Sequence, residues 1–382
     1  MTGLTTVGLF AGIGGIERGL EAAGLHTELL CELEPAAQRV LRARFPDVAV
    51  VPDVRKLRSL PKVDLVAAGF PCQDLSQAGH TAGIGGSRSG LVDEVFRLVS
   101  RPRSAPTWLL IENVSFMLHL DRGRAMAHLT DRLSDLGFAW AYRVVDTRAF
   151  GLPQRRQRVI LLASRTEDPR PILLGTDSPT NEQQDPAGRA CGFYWTEGVK
   201  GLGWAVDAVP TLKGGSTIGI PSAPAVWMTD GTIGTPDIGD AERLQGFPAD
   251  WTAPSVDDPT RRNGPRWKLV GNAVSVPVAE WAGHQLAKKN AGWTGEDELL
   301  QPGERWPKAA WGRDHKAHAV TVGLWPVQHP YQHLADFLDN PIRPLSDRAL
   351  TGFLGRAARS TLRFPDGLLD AARRQLRQLS AF

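Results

Sequence analysis

The residues that could do chemistry in this 382-residue chain border short apolar runs. Cys72 stands in GFPCQDLS, after the apolar run VDLVAAGF, and Glu112 stands in IENV, at the end of a second run. Arg156 and Arg158 belong to QRRQRV, which leads into a third run. Ligands of open α/β sheets bind at the edge where such strands end, so we expect these four side chains to converge there.

A thiol beside a carboxylic acid and guanidinium groups is suited to covalent catalysis on a pyrimidine. Carbon 5 of cytosine is a poor nucleophile, but addition of a thiolate to carbon 6 creates an enamine whose carbon 5 can attack a methyl sulfonium. In this interpretation Cys72 is the nucleophile, Glu112 binds N3 and the amino group and supplies a proton, and Arg158 binds O2. A lone cysteine is more often an inert core residue, so the interpretation depends on the acid and the arginines near it.

A glycine-rich turn precedes these residues and predicts a site for a nucleoside-type cofactor. The segment VGLFAGIGG joins a predicted strand to a helix, and its glycines let the backbone and the helix amides approach a ligand. It is not a GxGxxG motif, because Glu17 stands where the last glycine would be. Glu32 follows Gly12 by twenty residues, at a strand end from which an acid binds a ribose hydroxyl pair. Asp53 ends a third strand, in a position suited to an adenine amine.

Regular elements that could position these residues occupy the first 165 residues. Short apolar runs alternate there with amphipathic stretches, which predicts a doubly wound α/β fold with a parallel sheet and crossover helices. The predicted strands are residues 5–10, 29–33, 48–51, 63–68, 108–111, 142–145 and 159–163. The predicted helices are residues 15–23, 35–45, 91–99, 124–136, 240–245 and 273–286, with a helical region from residue 346 onward.

Composition predicts a globular protein and gives no clear sign of its partner. The net charge of +3 is too small to indicate a nucleic-acid binder by itself. No basic segment precedes the apolar N-terminal stretch, and no window approaches 18 apolar residues, so we expect no membrane span and a cytoplasmic location. The three cysteines, Cys31, Cys72 and Cys191, are odd in number and lack metal-type spacing, so neither disulfides nor a metal site is expected.

Changes in composition divide the chain into four predicted segments. Residues 1–164 form a catalytic and cofactor-binding domain, and residues 165–239, rich in Gly, Pro, Ser and Thr, form a variable target-recognition segment. Residues 240–289 return to the catalytic domain, and residues 290–382 form a C-terminal extension of unassigned role. From residue 343 this extension has eight arginines and three aspartates, which indicates either a solvated helix face or a supplementary phosphate contact. Its tryptophans are expected to pack it onto the main domain: Trp293, Trp306, Trp311 and Trp325.

The motifs and their order resemble those of the bacterial DNA cytosine-5 methyltransferases. The resemblance covers about residues 5–285 and rests on LFAGIGG, PCQDLS, ENV, QRRQR, RLQGFP at 243–248 and GNAVSVPVAEW at 271–281. It implies a Rossmann-like methyltransferase domain with a small inserted target-recognition domain. It also implies transfer of a methyl group from S-adenosylmethionine, with S-adenosylhomocysteine as product, to a cytosine flipped out of double-stranded DNA.

Residue roles follow from the same resemblance. The catalytic set is Cys72, Glu112, Arg156 and Arg158. The cofactor site is lined by Phe10, Gly12, Gly14, Glu32, Asp53, Pro71, Leu91 and Asn272. Contacts with DNA come from Gln73, Ser76, Thr211 and Leu212, with residues 73–90 as a loop that closes over the flipped base. The resemblance further implies a monomer on DNA, a nucleoid location and a cognate restriction or other defence system.

Two residues depart from the family pattern. Gly8 stands where the family usually has Asp, and Leu33 stands where an aromatic residue often stacks on adenine, so weaker cofactor binding is expected. The chemistry alone leaves an RNA cytosine-5 methyltransferase of the same fold as an alternative, although the long variable segment favours DNA. A catalytically silent DNA-binding protein is disfavoured by the intact catalytic set. A nucleotide-dependent oxidoreductase is disfavoured by the missing GxGxxG and by a thiol without a redox partner.

Overall fold

The computed structural model describes residues 3–71, 90–101, 105–180, 185–215, 222–256, 264–288 and 292–380. The strands are β1 (Thr5–Leu9), β2 (His26–Cys31), β3 (Ala49–Val51), β4 (Leu65–Ala68), β5 (Trp108–Val114), β6 (Ala139–Asp146), β7 (Gln154–Arg155), β8 (Gln157–Ser164), β9 (Cys191–Phe193), β10 (Trp204–Val206), β11 (Val209–Pro210), β12 (Ala225–Trp227), β13 (Ile233–Thr235), β14 (Glu298–Leu299), β15 (Ala309–Arg313), β16 (Lys316–Ala319) and β17 (Arg343–Pro344). The helices are α1 (Gly15–Ala22), α2 (Pro35–Arg44), α3 (Leu91–Val99), α4 (Arg124–Asp135), α5 (Arg170–Leu174), α6 (Ile238–Arg243), α7 (Gly264–Asn272), α8 (Val276–Ala287), α9 (Leu334–Phe337), α10 (Asp347–Ala357) and α11 (Leu368–Leu379). Within these described ranges, no helix combines the length and apolarity needed to cross a bilayer.

Two compact units make up the chain. The first contains Met1–Ala149, Gln157–Thr180 and Val274–Gln328, and the second contains Phe150–Arg156, Asn181–Ala273 and His329–Phe382. Each unit is built from segments that are far apart in the sequence.

The first unit has a ten-stranded sheet of order β14-β16-β15-β6-β8-β5-β4-β1-β2-β3. Strands β3, β2, β1, β4 and β5 are parallel neighbours. The chain runs outward from β1 to β3 and then returns to β4 on the other side of β1, which is the strand order of a doubly wound sheet. The predicted fold class is thereby confirmed, and the reversal between β1 and β4 marks the crevice where ligands of such sheets bind.

Helices cover both faces of the parallel strands, as their uniformly apolar sequences predict. All four residues of β4 are buried. One face packs against α3 and α4 through side chains such as Phe96 and Leu129. On the other face α1 lies against α8, where a Cβ at Gly19 would come within 2.4 Å of the Val276 carbonyl oxygen. Only glycine allows this approach of the two helices.

Strands β6 and β8 correct the expectation of a wholly parallel sheet. The runs 142–145 and 159–163 are strands, but β8 is antiparallel to both β5 and β6. Apolar runs report burial on both faces and carry no information on strand direction. Asp146 and Gln157 bound a short connection of ten residues, whereas a parallel crossover needs about a dozen or more.

The first part of the predicted C-terminal extension belongs to this sheet. Strand β15 pairs antiparallel with β6, placing Ala310 opposite Tyr142. The Trp306 ring meets the Trp140 ring edge-on at 6.1 Å, and Trp325 is 2% exposed. The expectation that these two tryptophans pack the extension onto the main domain is confirmed.

The rest of the extension belongs to the second unit, whose antiparallel sheet has the order β10-β9-β12-β13-β17. Strand β17 comes from the extension and pairs with β13. The hydrophobic core of this sheet includes α10 and α11, with the Phe353 ring 4.7 Å from that of Phe193. Residues 240–273, predicted to return to the catalytic domain, also lie in this unit, and only α8 returns. The residues 290–382 are therefore a structural part of both units, because short strands can add to a sheet edge without a distinctive sequence pattern.

This arrangement predicts that α10 stabilises the second unit. Phe353 has no exposed surface, so Phe353→Ala should lower the free energy of unfolding by about 3–5 kcal/mol. Urea denaturation would measure the change. Thr351→Ala, at an exposed position of the same helix, is the control and should change stability by less than about 0.5 kcal/mol. Equal stability of the Phe353 variant and the native protein would contradict the assignment of this helix to the core.

Candidate active site and cofactor site

The glycine-rich turn after β1 has a left-handed backbone conformation at two positions, which glycine adopts without steric strain. Gly12 and Gly14 have φ values of +58° and +84°. A Cβ at Gly14 would lie 2.4 Å from the Phe45 ring. Phe10 also has a positive φ, of +57°, which is unfavourable for an aromatic residue. The turn therefore presents backbone groups and the uncapped N-terminus of α1 at the crevice of the sheet.

Glu32 is joined to this turn. It follows β2, and its Oε2 accepts a hydrogen bond of 2.8 Å from the Gly12 amide, while Oε1 accepts one of 2.7 Å from the Glu34 amide. Burial raises the pKa of Glu32, although the backbone donors oppose the shift. The twenty-residue spacing seen in the sequence thus brings a half-buried carboxyl to the glycine turn, which fits a ribose hydroxyl pair.

The remaining predicted cofactor residues of this unit lie at neighbouring strand and helix ends. Asp53 caps the short helix Val54–Lys56 and binds the Arg55 side chain at 2.9 Å, and this hydrogen bond holds the pKa of Asp53 below its usual range. Leu91 begins α3, and Pro71 is exposed after β4. Leu33, where an aromatic was expected, is 61% exposed and offers an apolar surface beside Glu32. These residues together fit a nucleoside whose ribose hydroxyls are hydrogen-bonded to Glu32.

Glu112 and Arg158 form a buried ion pair. Antiparallel pairing of β5 with β8 sets Val114 opposite Arg158, so Arg158 is a diagonal neighbour of Glu112 on the same face. Its Nε lies 2.9 Å from Glu112 Oε1, and each side chain is 10% exposed. A Cβ at Gly69, after β4, would lie 3.7 Å from Glu112 Oε2. The carboxyl is thus held beside the end of β4, where the segment leading to Cys72 begins.

Asn113, which the sequence motifs alone did not single out, positions the backbone at the end of β4. Its buried Nδ2 donates a hydrogen bond of 3.1 Å to the carbonyl oxygen of Phe70, and its Oδ1 accepts one of 2.9 Å from the Val114 amide. Asn113 therefore fixes the backbone two residues before Cys72. The asparagine in the motif ENV could have indicated this role, since its side-chain amide can donate a hydrogen bond to the end of a neighbouring strand. Cys72 itself, with Gln73 and Ser76, lies outside the described residues.

The two other cysteines are unsuited to act as nucleophiles. Cys31 and Cys191 are both buried. Burial raises the pKa of Cys31 to about 12 and that of Cys191 to about 11. A thiolate is the reactive form, so the sequence assignment of the nucleophile to Cys72 has no competitor among the described cysteines.

Arg156 lies in the second unit and has different contacts from Arg158. Arg156 as a whole residue is 1% exposed. It donates hydrogen bonds to the carbonyl oxygens of Leu212 at 3.0 Å and Ala273 at 2.5 Å. These contacts tie the PTL segment to the GNA segment. Arg156 therefore positions backbone through Nη1 and Nη2, and its place in the catalytic set stays a prediction.

The other predicted residues of the second unit differ in accessibility. Leu212 is 2% exposed, and its amide donates to Gln154 Oε1 at 3.0 Å. Its side chain is therefore part of the hydrophobic core, and its contact with DNA stays a prediction. Thr211 is half-buried, and its hydroxyl donates to the Arg155 carbonyl oxygen at 2.9 Å. Asn272 is exposed, and a Cβ at Gly214 would lie 2.2 Å from its Oδ1, so Gly214 is needed for the close approach.

Comparisons with known proteins agree with this geometry. The family model described as C-5 cytosine-specific DNA methylase matches residues 4–190. The chain is 49% identical over 385 residues to the Type II methyltransferase M2.BsuMI of Bacillus subtilis (strain 168), covering 97% of this chain and 98% of that protein. It is 27% identical to the Type II methyltransferase M.BsuFI of Bacillus subtilis, over 72% of this chain and 70% of that protein. Among solved structures, the S. pombe Dnmt2 methyltransferase is similar in fold, with a TM-score of 0.51 and 15% identity, over 74% of this chain and 97% of that one.

A buried carboxyl next to the glycine turn gives a prediction about pH. Glu17 on α1 is 1% exposed, and neither of its carboxyl oxygens has a hydrogen-bond partner among the described residues. Burial raises the pKa of Glu17 to about 8, whereas the pKa in an unfolded chain is about 4.3. The folded protein therefore holds this proton more tightly, and the stability it adds is complete below about pH 4.3 and is lost as the pH rises to about 8.

Glu17→Gln should remove this pH dependence. The free energy of unfolding of the variant, relative to the native protein, should rise by about 1.4 kcal/mol per pH unit between about pH 5 and 8. Urea unfolding at a series of pH values measures it. Glu28→Gln, which removes an exposed carboxyl from β2, controls for the change in charge. A difference between variant and native protein that does not vary with pH would show that Glu17 is not buried as a neutral acid.

Proposed function

Because the chain belongs to the C-5 cytosine-specific DNA methylase family, we propose that it transfers a methyl group from S-adenosylmethionine to carbon 5 of a cytosine in a specific double-stranded DNA sequence. The observation that carries the proposal is the buried Glu112–Arg158 pair beside the end of β4. The same unit contains the glycine turn and Glu32. A base-recognising acid and a nucleoside-type site thus belong to one sheet.

Each catalytic residue has a distinct role in this proposal. The Cys72 sulfur forms a bond to carbon 6 of cytosine, and the ring electrons move to carbon 5. Glu112 takes up a proton from solvent before the base binds. In this protonated form it binds N3 and the exocyclic amino group, and it gives the proton to N3 as sulfur adds. Arg158 holds the Glu112 carboxyl and has further donors for O2. After methylation, loss of the carbon 5 proton and departure of sulfur restore the aromatic ring and the free thiol.

The cofactor supplies an electrophilic methyl group on a sulfonium. Glu32 would bind its ribose hydroxyls, Asp53 its adenine amine, and the turn from Phe10 to Gly14 would contact it through backbone groups. Leu33 would cover the adenine face with an aliphatic side chain in place of an aromatic ring.

The target base has to leave the helix, because the faces of a stacked cytosine are covered at carbons 5 and 6. We assign sequence recognition in the major groove to the second unit, which contains residues 181–239 of the variable segment, whereas residues 165–180 lie in the first unit. Arg156 and Gln154 act in this unit as positioning residues for the backbone near Thr211. The names of the relatives, Type II methyltransferases, support a role in a restriction-modification system.

A covalent trap tests the chemistry. DNA with 5-fluorocytosine at the target cannot lose fluorine as a cation, so it should form a complex with the protein that survives denaturing electrophoresis, and only when S-adenosylmethionine is present. Cys72→Ser should abolish the complex, because a hydroxyl is scarcely ionised at neutral pH whereas a thiol of pKa about 8.5 is partly ionised. Glu112→Gln should slow trapping by about a hundredfold or more, since it removes the proton donor and keeps the shape.

Two controls separate the possible failures. Cys31→Ser should trap DNA like the native protein, because that thiol is buried in the sheet. An RNA duplex of the same sequence should not be trapped, and if it were trapped in preference to DNA the substrate assignment would be wrong. Trapping by the Cys72 variant would assign the nucleophile to another residue.

Exchange of segments tests the recognition role of the second unit. Residues 181–239 of the variable segment belong to the second unit. They pack on α10 and α11 through contacts such as that of Phe193 with Phe353, so they should be replaced together with residues 329–380. Replacing both by the equivalents from a relative with a different target should transfer that target, as read by bisulfite sequencing. Replacing 329–380 alone should not change the methylated sequence. A double exchange that keeps the original target would contradict the assignment.

A further inference from the structure

Positive charge is concentrated in the last forty residues of the chain. The whole chain carries +3, but residues 343–382 contain eight arginines, three aspartates and neither lysine nor glutamate, a local charge of +5. The preceding 342 residues therefore carry a net charge of −2. If the protein has a phosphate-binding surface, the sequence favours the second unit, to which this segment belongs.

Helix α11 is fixed to the sheet of the second unit by one face. Leu368, Ala371 and Ala372 are at most 2% exposed and belong to the hydrophobic core of this unit. The Gln375 side chain accepts a hydrogen bond from the Ile233 amide at 2.8 Å and donates one to the Ile233 carbonyl oxygen at 2.9 Å. These bonds fix the rotation of the helix about its axis, so the opposite face has a defined direction.

The outward face of α11 carries Arg373, Arg374 and Arg377, all exposed. The spacing i, i+1 and i+4 places them on one side of the helix. We name these three residues the arginine face. Asp370, one turn before, pairs with Arg373 at 2.8 Å. Within the described ranges no carboxylate lies within 4.0 Å of the Arg374 or Arg377 guanidinium groups, so the arginine face keeps an excess of cations.

Other arginines of this unit serve the fold. Arg266 binds the buried Glu242 at 3.0 Å, and Arg356 donates to the Trp195 carbonyl oxygen. The arginine face differs from them because it contributes little to internal packing and repels itself. A cation in the last turn of a helix is stabilised by the helix dipole, which accounts for Arg377. It does not account for Arg374, which lies a turn earlier and forms no ion pair with a described residue.

We propose that the arginine face binds the sugar–phosphate backbone of the DNA duplex outside the recognised bases. The inference rests on the proposed function, because it takes double-stranded DNA as the substrate. Guanidinium groups bind phosphate oxygens by paired hydrogen bonds and read no sequence. Arg373 and Arg377 are about 6 Å apart along the helix axis, enough for about two successive phosphates of one strand. The interaction adds affinity and leaves target choice to the rest of the unit.

Removal of the arginine face tests the proposal. The triple variant Arg373→Gln, Arg374→Gln and Arg377→Gln should bind a target duplex about ten- to a hundredfold more weakly at 0.15 M salt. The slope of log Kd against log salt should fall by about two to three, because each phosphate that an arginine neutralises contributes about one to that slope. Fluorescence anisotropy of a labelled duplex measures both. The methylated sequence found by bisulfite sequencing should be unchanged.

A matched control removes the same charge from the first unit. Arg305→Gln, Lys308→Gln and Arg313→Gln replace three exposed cations there and should leave the salt slope within about one of the native value. Asp370→Asn, which frees Arg373 from its pair, should tighten DNA binding by about two- to fivefold. Thermal unfolding of each variant checks that the core of α11 is intact.

Equal salt slopes for the native protein and the arginine-face variant would overturn the proposal. The arginine face would then be expected to bind an acidic protein. An equal loss in both triple variants would also overturn it, because the effect would then come from net charge alone. Failure of the native protein to methylate any DNA is a different result, since it would refute the proposed function on which the inference rests.

Discussion

The active site depends on one buried ion pair, Glu112 with Arg158. Two charges that are each 10% exposed are costly to bury, and removing either partner leaves the other uncompensated. The pair exists only because β8 runs antiparallel beside β5 in the register that sets Val114 opposite Arg158. A slip of one residue would turn Arg158 to the other face of the sheet. The insertion of an antiparallel strand into a doubly wound sheet is therefore the feature that brings together the proposed base-binding acid and its partner.

Local patterns predicted the parts of the site that depend on short stretches of chain. The glycine turn, the start of α3 at Leu91 and the position of Glu32 follow from spacing and strand ends, because each requires only one strand and its neighbour. The direction of β8 could not be predicted, since a run such as VILLA is equally apolar in either direction. The assignment of Arg156 and Arg158 to different units could not be predicted either. The boundary falls between Arg156 and Gln157, whereas a spacing of two residues indicates only a shared strand face.

The C-terminal extension shows a different limit of sequence reasoning. Its tryptophans and arginines were evident in the sequence. The strands that join it to the two sheets are only two to five residues long, so they show no periodicity from which they could be predicted. Strand β17 adds two residues to the edge of a sheet begun about 150 residues earlier, and α10 and α11 then cover the sheet face. Without them Phe193 and Ile233 would be exposed, so the variable segment alone cannot bury a core of its own. Residues 343–379 thus complete the core of the second unit.

Gly8 illustrates how a departure from a family pattern can be offset within the same structure. A Cβ at this position would lie 2.0 Å from the Glu17 carboxyl, so no aspartate could be accommodated while Glu17 keeps its place. The carboxyl that the pattern supplies from the strand is supplied here from the first turn of α1, on the same side of β1. Its environment raises its pKa to about 8, so at neutral pH the group is mainly a neutral acid, for which burial costs far less than for a carboxylate. Gly8 and Glu17 therefore depend on each other. A side chain at position 8 would displace the Glu17 carboxyl, and loss of that carboxyl would remove the steric need for glycine at position 8.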